Sequence, residues 1–185
     1  MNKPKTYYST LYSSPIGSMT LACDGGCNVV GLWLKAQKYY GDTVPGEMTP
    51  KDDMPVFAVA KKWLDRYFAG KNPAVAELPL APIGGAFRQG VWGILREIPY
   101  GEVTTYGDIA KKMAKRMKKQ TMSAQAVGGA VGHNPISVII PCHRVVGSNG
   151  SLTGFAGGID KKIKLLELEG VDISALFVPK KGTAL

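Results

Sequence analysis

The first part of the chain has the short apolar runs that are typical of β-strands. Tyr7 to Tyr12, Met19 to Cys23 and Val29 to Leu34 are separated by the turn-forming segments Ser14-Pro15-Ile16-Gly17 and Asp24-Gly25-Gly26. Apolar runs of this length, bounded by Gly, Pro and Asp, predict antiparallel hairpins. The N-terminal part of the chain is therefore expected to form an antiparallel sheet.

The apolar spacing changes after this sheet. Between Val56 and Phe68, apolar residues recur at the spacing of one helical face, which predicts an α-helix. The stretch from Gly70 to Gly85 contains three prolines and predicts an ordered or semi-rigid linker rather than a helix. The apolar residues on one face of the predicted helix from Val56 to Phe68 are Phe57, Ala60, Leu64 and Phe68.

The second part of the chain has helical periodicity. One predicted helix runs from Phe87 to Ile98 and is stopped by Pro99; a second starts at Tyr106, with Thr105 as its cap. A turn near residues 120–123 leads to a short helix of small residues, so this pair has the outline of a helix-turn-helix. The inward positions are predicted to be Phe87, Val91, Ile94, Leu95 and Ile98 in the first helix, and Tyr106, Ile109, Ala110, Met113 and Met117 in the second.

A thiol and an imidazole follow the apolar run from Ile136 to Ile140, which predicts a buried strand. The next residues are Pro141, Cys142, His143, Arg144 and Val145. A neighbouring imidazole is a common means of raising the thiolate fraction of a cysteine. Adjacent cysteine and histidine are also common in purely structural roles, because free cysteine is among the most buried residue types.

Charge adds a second clue. The 185 residues contain 23 Lys and Arg against 14 Asp and Glu, which gives a formal net charge of +9. Six basic residues and no acidic one lie between Lys111 and Lys119. Such a balance favours a polyanionic partner such as nucleic acid, although a generally basic protein without that partner gives the same total.

The motif and its surroundings resemble a known family. Asn134-Pro135 stands ahead of Pro141-Cys142-His143-Arg144, and a glycine-rich loop from Gly147 to Gly158 follows it, leading to a helix that ends near Gly170. Together they resemble the O6-alkylguanine-DNA alkyltransferases, also called methylated-DNA–protein-cysteine methyltransferases. The resemblance is strong from about Phe87 to Gly170 and general before it.

The resemblance implies an α+β fold. Residues 1–80 would form an N-terminal α/β domain of uncertain role, with a ribonuclease H-like antiparallel sheet and a helix. Residues 86–172 would form the helical, catalytic, DNA-binding alkyltransferase domain containing the helix-turn-helix, and residues 173–185 a tail that is expected to be mobile.

The family activity is DNA repair by a methylated-DNA–protein-cysteine S-methyltransferase. The alkyl group of O6-alkylguanine, and of O4-alkylthymine, in double-stranded DNA would pass irreversibly to the Cys142 thiolate. Because the altered base lies inside the duplex, the helix-turn-helix would enter the minor groove and the nucleotide would be flipped out. Each molecule would act once, as a monomer, without a metal or another cofactor.

The resemblance also implies roles for individual residues. Cys142 is the alkyl acceptor, His143 takes its proton through a water, Glu169 orients the imidazole, and Asn134 completes the network. The remaining residues that the resemblance assigns to base or DNA binding are Tyr106, Gln125, Ala126, Val131, Arg144, Phe155, Ala156 and Gly157.

Two positions depart from the family pattern. Gln125 stands where relatives have the arginine that fills the space left by the flipped base, and Phe155 where many have tyrosine. Glutamine can intrude and form hydrogen bonds but has no charge for phosphates. We therefore expect weaker or slower capture of the lesion, with the transfer chemistry unaffected.

The three cysteines and the polar N-terminus predict an intracellular, reduced protein, cytoplasmic or, in a eukaryote, nuclear. Cys23 and Cys27 have no histidine near them in the sequence, so packing is a better prediction for both than a zinc site. Two other function classes stay open. An alkyltransferase-like damage-binding protein would lack the acceptor cysteine, and a cysteine hydrolase would leave the helix-turn-helix and the basic run unexplained.

Overall fold

The computed structural model describes residues 5–25 and 27–179 of the chain. They form two compact units. Their helices and strands confirm the predicted α+β fold class. Unit 1 contains the residues up to Ile83 together with Pro135–Ser137, and unit 2 contains Gly84–Asn134 and the residues from Val138 onward. The described residues include no helix that is both long and apolar enough to cross a membrane.

Unit 1 is built on a four-stranded sheet in the order β3-β2-β1-β4. The antiparallel strands β1 (Tyr7–Ser14), β2 (Gly17–Asp24) and β3 (Val29–Leu34) confirm the three predicted strands. A short fourth strand, β4 (Met48–Pro50), pairs in parallel with β1 and was not predicted. Three residues that include a proline are too few to give a strand pattern in the sequence.

Helix α1 (Pro55–Phe68) confirms the predicted helix and packs against the three long strands. Its proline lies in the first turn, where a missing N–H costs no helical hydrogen bond. The following segment is ordered, as predicted, because Val29 N–H donates to the Pro79 carbonyl at 2.8 Å and Ala81 N–H to the Val29 carbonyl at 2.9 Å.

The two N-terminal cysteines lie in different environments. Cys23 is fully buried in the sheet, as a packing role requires. Cys27 is exposed, with φ +84° in the loop between β2 and β3, so the prediction that it packs in the core is wrong. The loop is closed by Asp24, whose carboxylate accepts from Asn28 N–H at 2.8 Å, and this turn directs Cys27 outward.

The described residues of unit 2 form four α-helices and a small parallel pair of strands. The helices are α2 (Ala86–Leu95), α3 (Tyr106–Arg116), α4 (Ala124–Gly132) and α5 (Ile159–Leu168), and the strands are β5 (Thr104–Thr105) and β6 (Val145–Val146). Helix α2 is shorter than predicted, and Ile98 is buried from the turn after it. Met117 follows α3 and is 41% exposed, so its predicted inward position is wrong.

The helix-turn-helix formed by α3 and α4 is confirmed, with both predicted starts in place. The Thr105 hydroxyl accepts from Asp108 N–H at 3.1 Å and donates to the Asp108 carboxylate at 2.7 Å. The Ser123 hydroxyl accepts from Ala126 N–H at 3.2 Å. Each cap satisfies an N–H that has no partner within its helix, which fixes where α3 and α4 begin.

The predicted strand from Ile136 to Ile140 is wrong, although its burial is as expected. Only Ile136 makes a β-bridge, to Leu32 within unit 1, and Val138 has φ +71°, which no strand accommodates. A short buried apolar run has the same sequence pattern in a strand and in a compact turn.

The described part of the expected mobile tail is held in place. Ser151 forms a β-bridge with Phe177, and Leu152 N–H donates to the Phe177 carbonyl at 2.8 Å. Ile173 and Leu176 pack on a buried cluster around Leu166. The mobile-tail prediction is therefore wrong for this stretch; its residues from Lys180 onward lie outside the described residues.

Candidate active site

The backbone around Cys142 is fixed by one carbonyl oxygen. Cys142 N–H donates to the Ile140 carbonyl at 2.8 Å across Pro141, whose φ of −82° and ψ of 67° form an inverse γ-turn. The Asn134 side-chain amide donates to the same carbonyl at 2.7 Å. Cys142 then begins a single 3₁₀ turn, Cys142–Arg144. Asn134 therefore holds the turn that presents the thiol.

Val138 is a strained residue four positions before Cys142. It is buried and β-branched, yet its φ of +71° lies in the left-handed region. Such a conformation costs about 1–3 kcal/mol and persists only where the surrounding contacts enforce it. The left-handed backbone at Val138 bends the chain toward the γ-turn at Pro141.

Three polar side chains form a buried cluster beside Cys142. His143 Nε2 lies 2.7 Å from Glu169 Oε1, and both side chains are fully buried. The Arg144 guanidinium donates to the two carboxylate oxygens of Glu169 at 2.7 and 2.9 Å and to the Ile98 carbonyl at 2.6 Å. Gly101 N–H also donates to Glu169 at 3.2 Å. Glu169 is thus held in one orientation.

The electrostatics of this cluster favour an ionised Glu169 and a neutral His143. Burial alone would raise the pKa of Glu169, but hydrogen bonds from His143 and Arg144 and the Arg144 charge hold that pKa well below its usual range. Burial lowers the pKa of His143, although the hydrogen bond to Glu169 opposes the shift. Because an ionised carboxylate only accepts, the imidazole proton lies on Nε2, and Nδ1 carries the lone pair of a base.

The Cys142 thiol is buried and mostly protonated. Burial raises its pKa, while a hydrogen bond with the Asn134 side chain and the charge of Lys162 act in the opposite direction. Only a small fraction of the sulfur is therefore thiolate at neutral pH. Reaction at this sulfur requires a base, and the neutral imidazole next to it in the chain is of the right type.

Lys162 is a buried cation at this site that was not predicted from the sequence. Its side chain is fully buried on α5, and Nζ donates to the carbonyls of Val145 at 2.6 Å and Thr153 at 2.7 Å. Burial lowers the pKa of Lys162 to about 8, and the Cys142 thiolate opposes that shift. Its position in the sequence could have indicated this burial, because Lys162 shares the inward face of α5 with Leu165, Leu166 and Glu169 at helical spacing.

Tyr106, Phe155 and the glycine loop lie around the cluster. The Tyr106 hydroxyl donates to the Thr153 carbonyl at 3.2 Å, and burial raises its pKa, so the phenol stays protonated. The Phe155 ring meets His143 edge-on, with centroids 6.5 Å apart. Gly154 has φ +76° at the start of the loop, a conformation that a side chain would strain. Ala156 is half-buried and Gly157 is buried in the same loop.

The remaining predicted DNA contacts differ in exposure. Gln125 and Ala126 are exposed at the start of α4. Val131 is buried on the inward face of that helix, and the Arg144 side chain, 9% exposed, is bound to Glu169. Gln125 and Ala126 therefore lie at the surface, whereas Val131 and Arg144 lie in the interior.

Comparisons with known proteins agree with these features. Residues 7–82 match the family model "6-O-methylguanine DNA methyltransferase, ribonuclease-like domain", and residues 86–171 match the "DNA binding domain" model of the same family. Together the two models cover most of the chain.

Individual relatives point to the same family. Methylated-DNA–protein-cysteine methyltransferases of Haemophilus influenzae and Methanosarcina acetivorans are 40% and 42% identical over 164 residues. The matches cover 89% and 88% of this chain and 87% and 98% of the relatives, in the same order. The crystal structure of a Mycobacterium tuberculosis OGT in complex with DNA is 40% identical, with a TM-score of 0.72, covering 92% of this chain and 94% of that one. The chain therefore belongs to the 6-O-methylguanine DNA methyltransferase family, whose members are methylated-DNA–protein-cysteine methyltransferases.

Proposed function

We propose that this protein repairs double-stranded DNA by moving the alkyl group of O6-alkylguanine, and of O4-alkylthymine, onto the sulfur of Cys142. The observation that carries the proposal is the buried cluster in which Glu169 holds a neutral His143 next to the acceptor thiol. A carbon electrophile needs a thiolate, and this cluster supplies a base to make one.

The reaction forms one bond and breaks one bond. His143 Nδ1 takes the Cys142 proton through a water, and Glu169 stabilises the imidazolium that results. The thiolate then attacks the alkyl carbon, a C–S bond forms, the C–O6 bond breaks, and its electron pair stays on the base. The base takes up the proton that the His143 imidazolium returns through the water. The product is S-alkylcysteine, a stable thioether, so each molecule acts once.

The altered base reaches Cys142 by flipping out of the duplex. Flipping costs a few kcal/mol, less for a damaged and poorly paired base. Helix α4 enters the minor groove with its exposed residues Gln125 and Ala126, and Gln125 occupies the space that the base leaves.

The flipped base lies against Tyr106 and Phe155. Tyr106 faces the base with its phenol kept protonated by burial, and the Ala156 amide donates to O6. The close approach of the loop backbone at Gly157 narrows this pocket. Recognition rests on a few fixed donors and on the apolar ring of Phe155.

We propose that residues 86–172 carry DNA binding and transfer, and that residues 1–80 form a separate domain whose role is open. The protein acts as a monomer on DNA inside the cell, in the cytoplasm, or in the nucleus if the cell is eukaryotic. No step of the reaction above uses a metal or another cofactor.

The test is the intact mass of the protein after incubation with a duplex that contains one O6-methylguanine. We expect the wild type to gain one methylene mass at Cys142, stoichiometrically and once. Cys142→Ser is the matched control, because it replaces the thiol with a hydroxyl of similar size and should gain nothing.

The other results have distinct meanings. Tight binding to the lesion without a mass gain would replace the proposal with a damage-binding function. The absence of both binding and mass gain would favour the cysteine hydrolase alternative. Release of product from an activated ester would then test that alternative.

A further inference from the structure

A groove with a volume of about 440 Å³ runs between α3 and the turn that leads into α4. Small residues line part of it, among them Ala110, Ala114 and Ala124. Three lysines, Lys111, Lys115 and Lys119, line it. They follow one another at four-residue intervals in the sequence. Helical residues four apart lie about 6 Å apart along the axis, so the first two charges form a row beside the groove.

The charge of this groove is little compensated. Lys111 pairs with Asp108 at 3.1 Å, but both side chains are largely exposed, and such pairs contribute only about 0–1 kcal/mol. Within residues 5–25 and 27–179, Lys115 and Lys119 take part in no ion pair. No carboxylate is among the described residues that line the groove.

We infer that this groove binds consecutive phosphates of the DNA strand that flanks the lesion. The inference rests on the proposed function, since it assigns the phosphate contacts of the same DNA complex. Ala124 forms part of the groove and is also the first residue of α4, the helix proposed to enter the minor groove. A duplex bound there brings one strand of its backbone to the start of α4.

The occupant is an extended polyanion rather than a single small anion. A small anion is usually held by convergent, buried donors, whereas these three lysines are exposed along the side of a groove. Lysine is a flexible point charge that suits sequence-independent phosphate contacts. A row of such contacts follows a nucleic-acid backbone.

The groove also gives a reason why an uncharged residue is tolerated at position 125. The free-energy cost of flipping the base, a few kcal/mol, must be offset by contacts elsewhere in the complex. Gln125 has no charge with which to bind phosphate. The three lysines would hold the DNA backbone from α3 and the turn after it, outside the space that the base vacates.

The experiment compares two triple variants of the full-length protein for binding to an unmodified duplex over a range of salt concentrations. The test variant is Lys111→Gln with Lys115→Gln and Lys119→Gln. The control removes the same charge from exposed lysines of unit 1, as Lys35→Gln with Lys62→Gln and Lys71→Gln. The two variants have equal net charge, so they separate local contacts from the overall field.

We expect the test variant to bind more weakly by about tenfold or more, with a slope of log K against log salt that is smaller by about 2 to 3, since each phosphate contact contributes about 0.9. The control should keep a slope near that of the wild type. Equal changes in both variants, or an unchanged slope in the test variant, would overturn the inference.

Transfer from free O6-benzylguanine base separates the two proposals. Both triple variants should alkylate Cys142 from the free base at the wild-type rate, because the groove contacts only DNA. A wild type that fails to react with either the base or the duplex would contradict the proposed function. The salt dependence of DNA binding would still show whether the groove binds phosphates.

Discussion

Two regions of unit 2 hold charge in opposite ways. The cluster around Cys142 buries His143, Arg144, Lys162 and Glu169, each with its hydrogen bonds directed to fixed partners. The helix-turn-helix carries its lysines in solvent, where they are screened and mobile. One region uses a few charges that cannot be rearranged, and the other uses many that act nearly independently.

This difference sets the scale of what substitutions do. Breaking a buried ion pair by removing one partner costs about 3–5 kcal/mol, because the remaining charge is left without compensation. Exposed pairs contribute about 0–1 kcal/mol and weaken with salt. Changes in the cluster should therefore affect transfer and folding strongly, whereas changes on the helix-turn-helix should affect DNA binding moderately and as a function of salt.

The largest effect is expected from Glu169→Gln. The variant leaves Arg144 buried without a carboxylate and removes the charge that stabilises imidazolium at His143. We expect the free energy of unfolding to fall by about 3 kcal/mol. We expect the single-turnover transfer rate to fall by about 10²- to 10⁴-fold, the range of general-base contributions. Chemical denaturation and rapid-quench transfer measure the two effects.

The matched control is Glu167→Gln, which removes the same charge from an exposed position of α5. It should leave both quantities near the wild-type values. The wild type should also lose stability as pH falls below the usual carboxyl range, since the pKa of Glu169 is depressed in the folded state. A Glu169→Gln variant with normal transfer would show that His143 needs no carboxylate.

The helix-turn-helix was predictable because its signals are local. Apolar periodicity, the cap at Thr105 and the turn between the helices are all contained in about thirty residues of sequence, and these signals report on backbone hydrogen bonds within each helix. The same is true of the three long strands of unit 1. Errors occurred at boundaries such as Met117, where the last turn of a helix frays.

The buried cluster was predictable only in part. The resemblance to a family pointed to Cys142, His143, Asn134 and Glu169. Arg144 as the second partner of Glu169, and Lys162 as a buried cation, depend on contacts between distant segments. The turn at Val138 escaped prediction for the same reason, because its left-handed backbone is enforced by tertiary contacts and has no signal in a run of apolar residues.

An intermediate effect is expected from Lys162→Met, which keeps the length of the side chain and removes the charge. Lys162 opposes the effect of burial on the Cys142 thiol, so its loss should raise the thiol pKa further. We expect transfer to slow by about tenfold, because a smaller fraction of the sulfur is thiolate at a given pH. The pH dependence of iodoacetamide reaction at Cys142 measures this shift directly.

Stability gives Lys162→Met a second readout. The pKa of Lys162 is about 8 in the folded protein against 10.5 in the unfolded chain, so the unfolded state binds more protons between those values. The free energy of unfolding of the wild type should therefore rise relative to the variant between pH 8 and 10.5, by about 3 kcal/mol. Lys164→Met, exposed on the same helix, should show no such change. Parallel pH profiles for wild type and Lys162→Met would contradict a buried cation.

The smallest effect is expected from Gln125→Arg at the exposed start of α4. An arginine adds a phosphate contact and a guanidinium that can stack on the orphaned base. We expect transfer from a duplex to quicken by about threefold to tenfold, the equivalent of about 1 kcal/mol, while transfer from free O6-benzylguanine stays constant. Gln89→Arg on α2 adds the same charge elsewhere in unit 2 and is the control. Because the free base needs no flipping, acceleration on both substrates would show that residue 125 acts on the chemistry of the buried cluster. Equal acceleration by Gln89→Arg would show that the added net charge alone causes the effect.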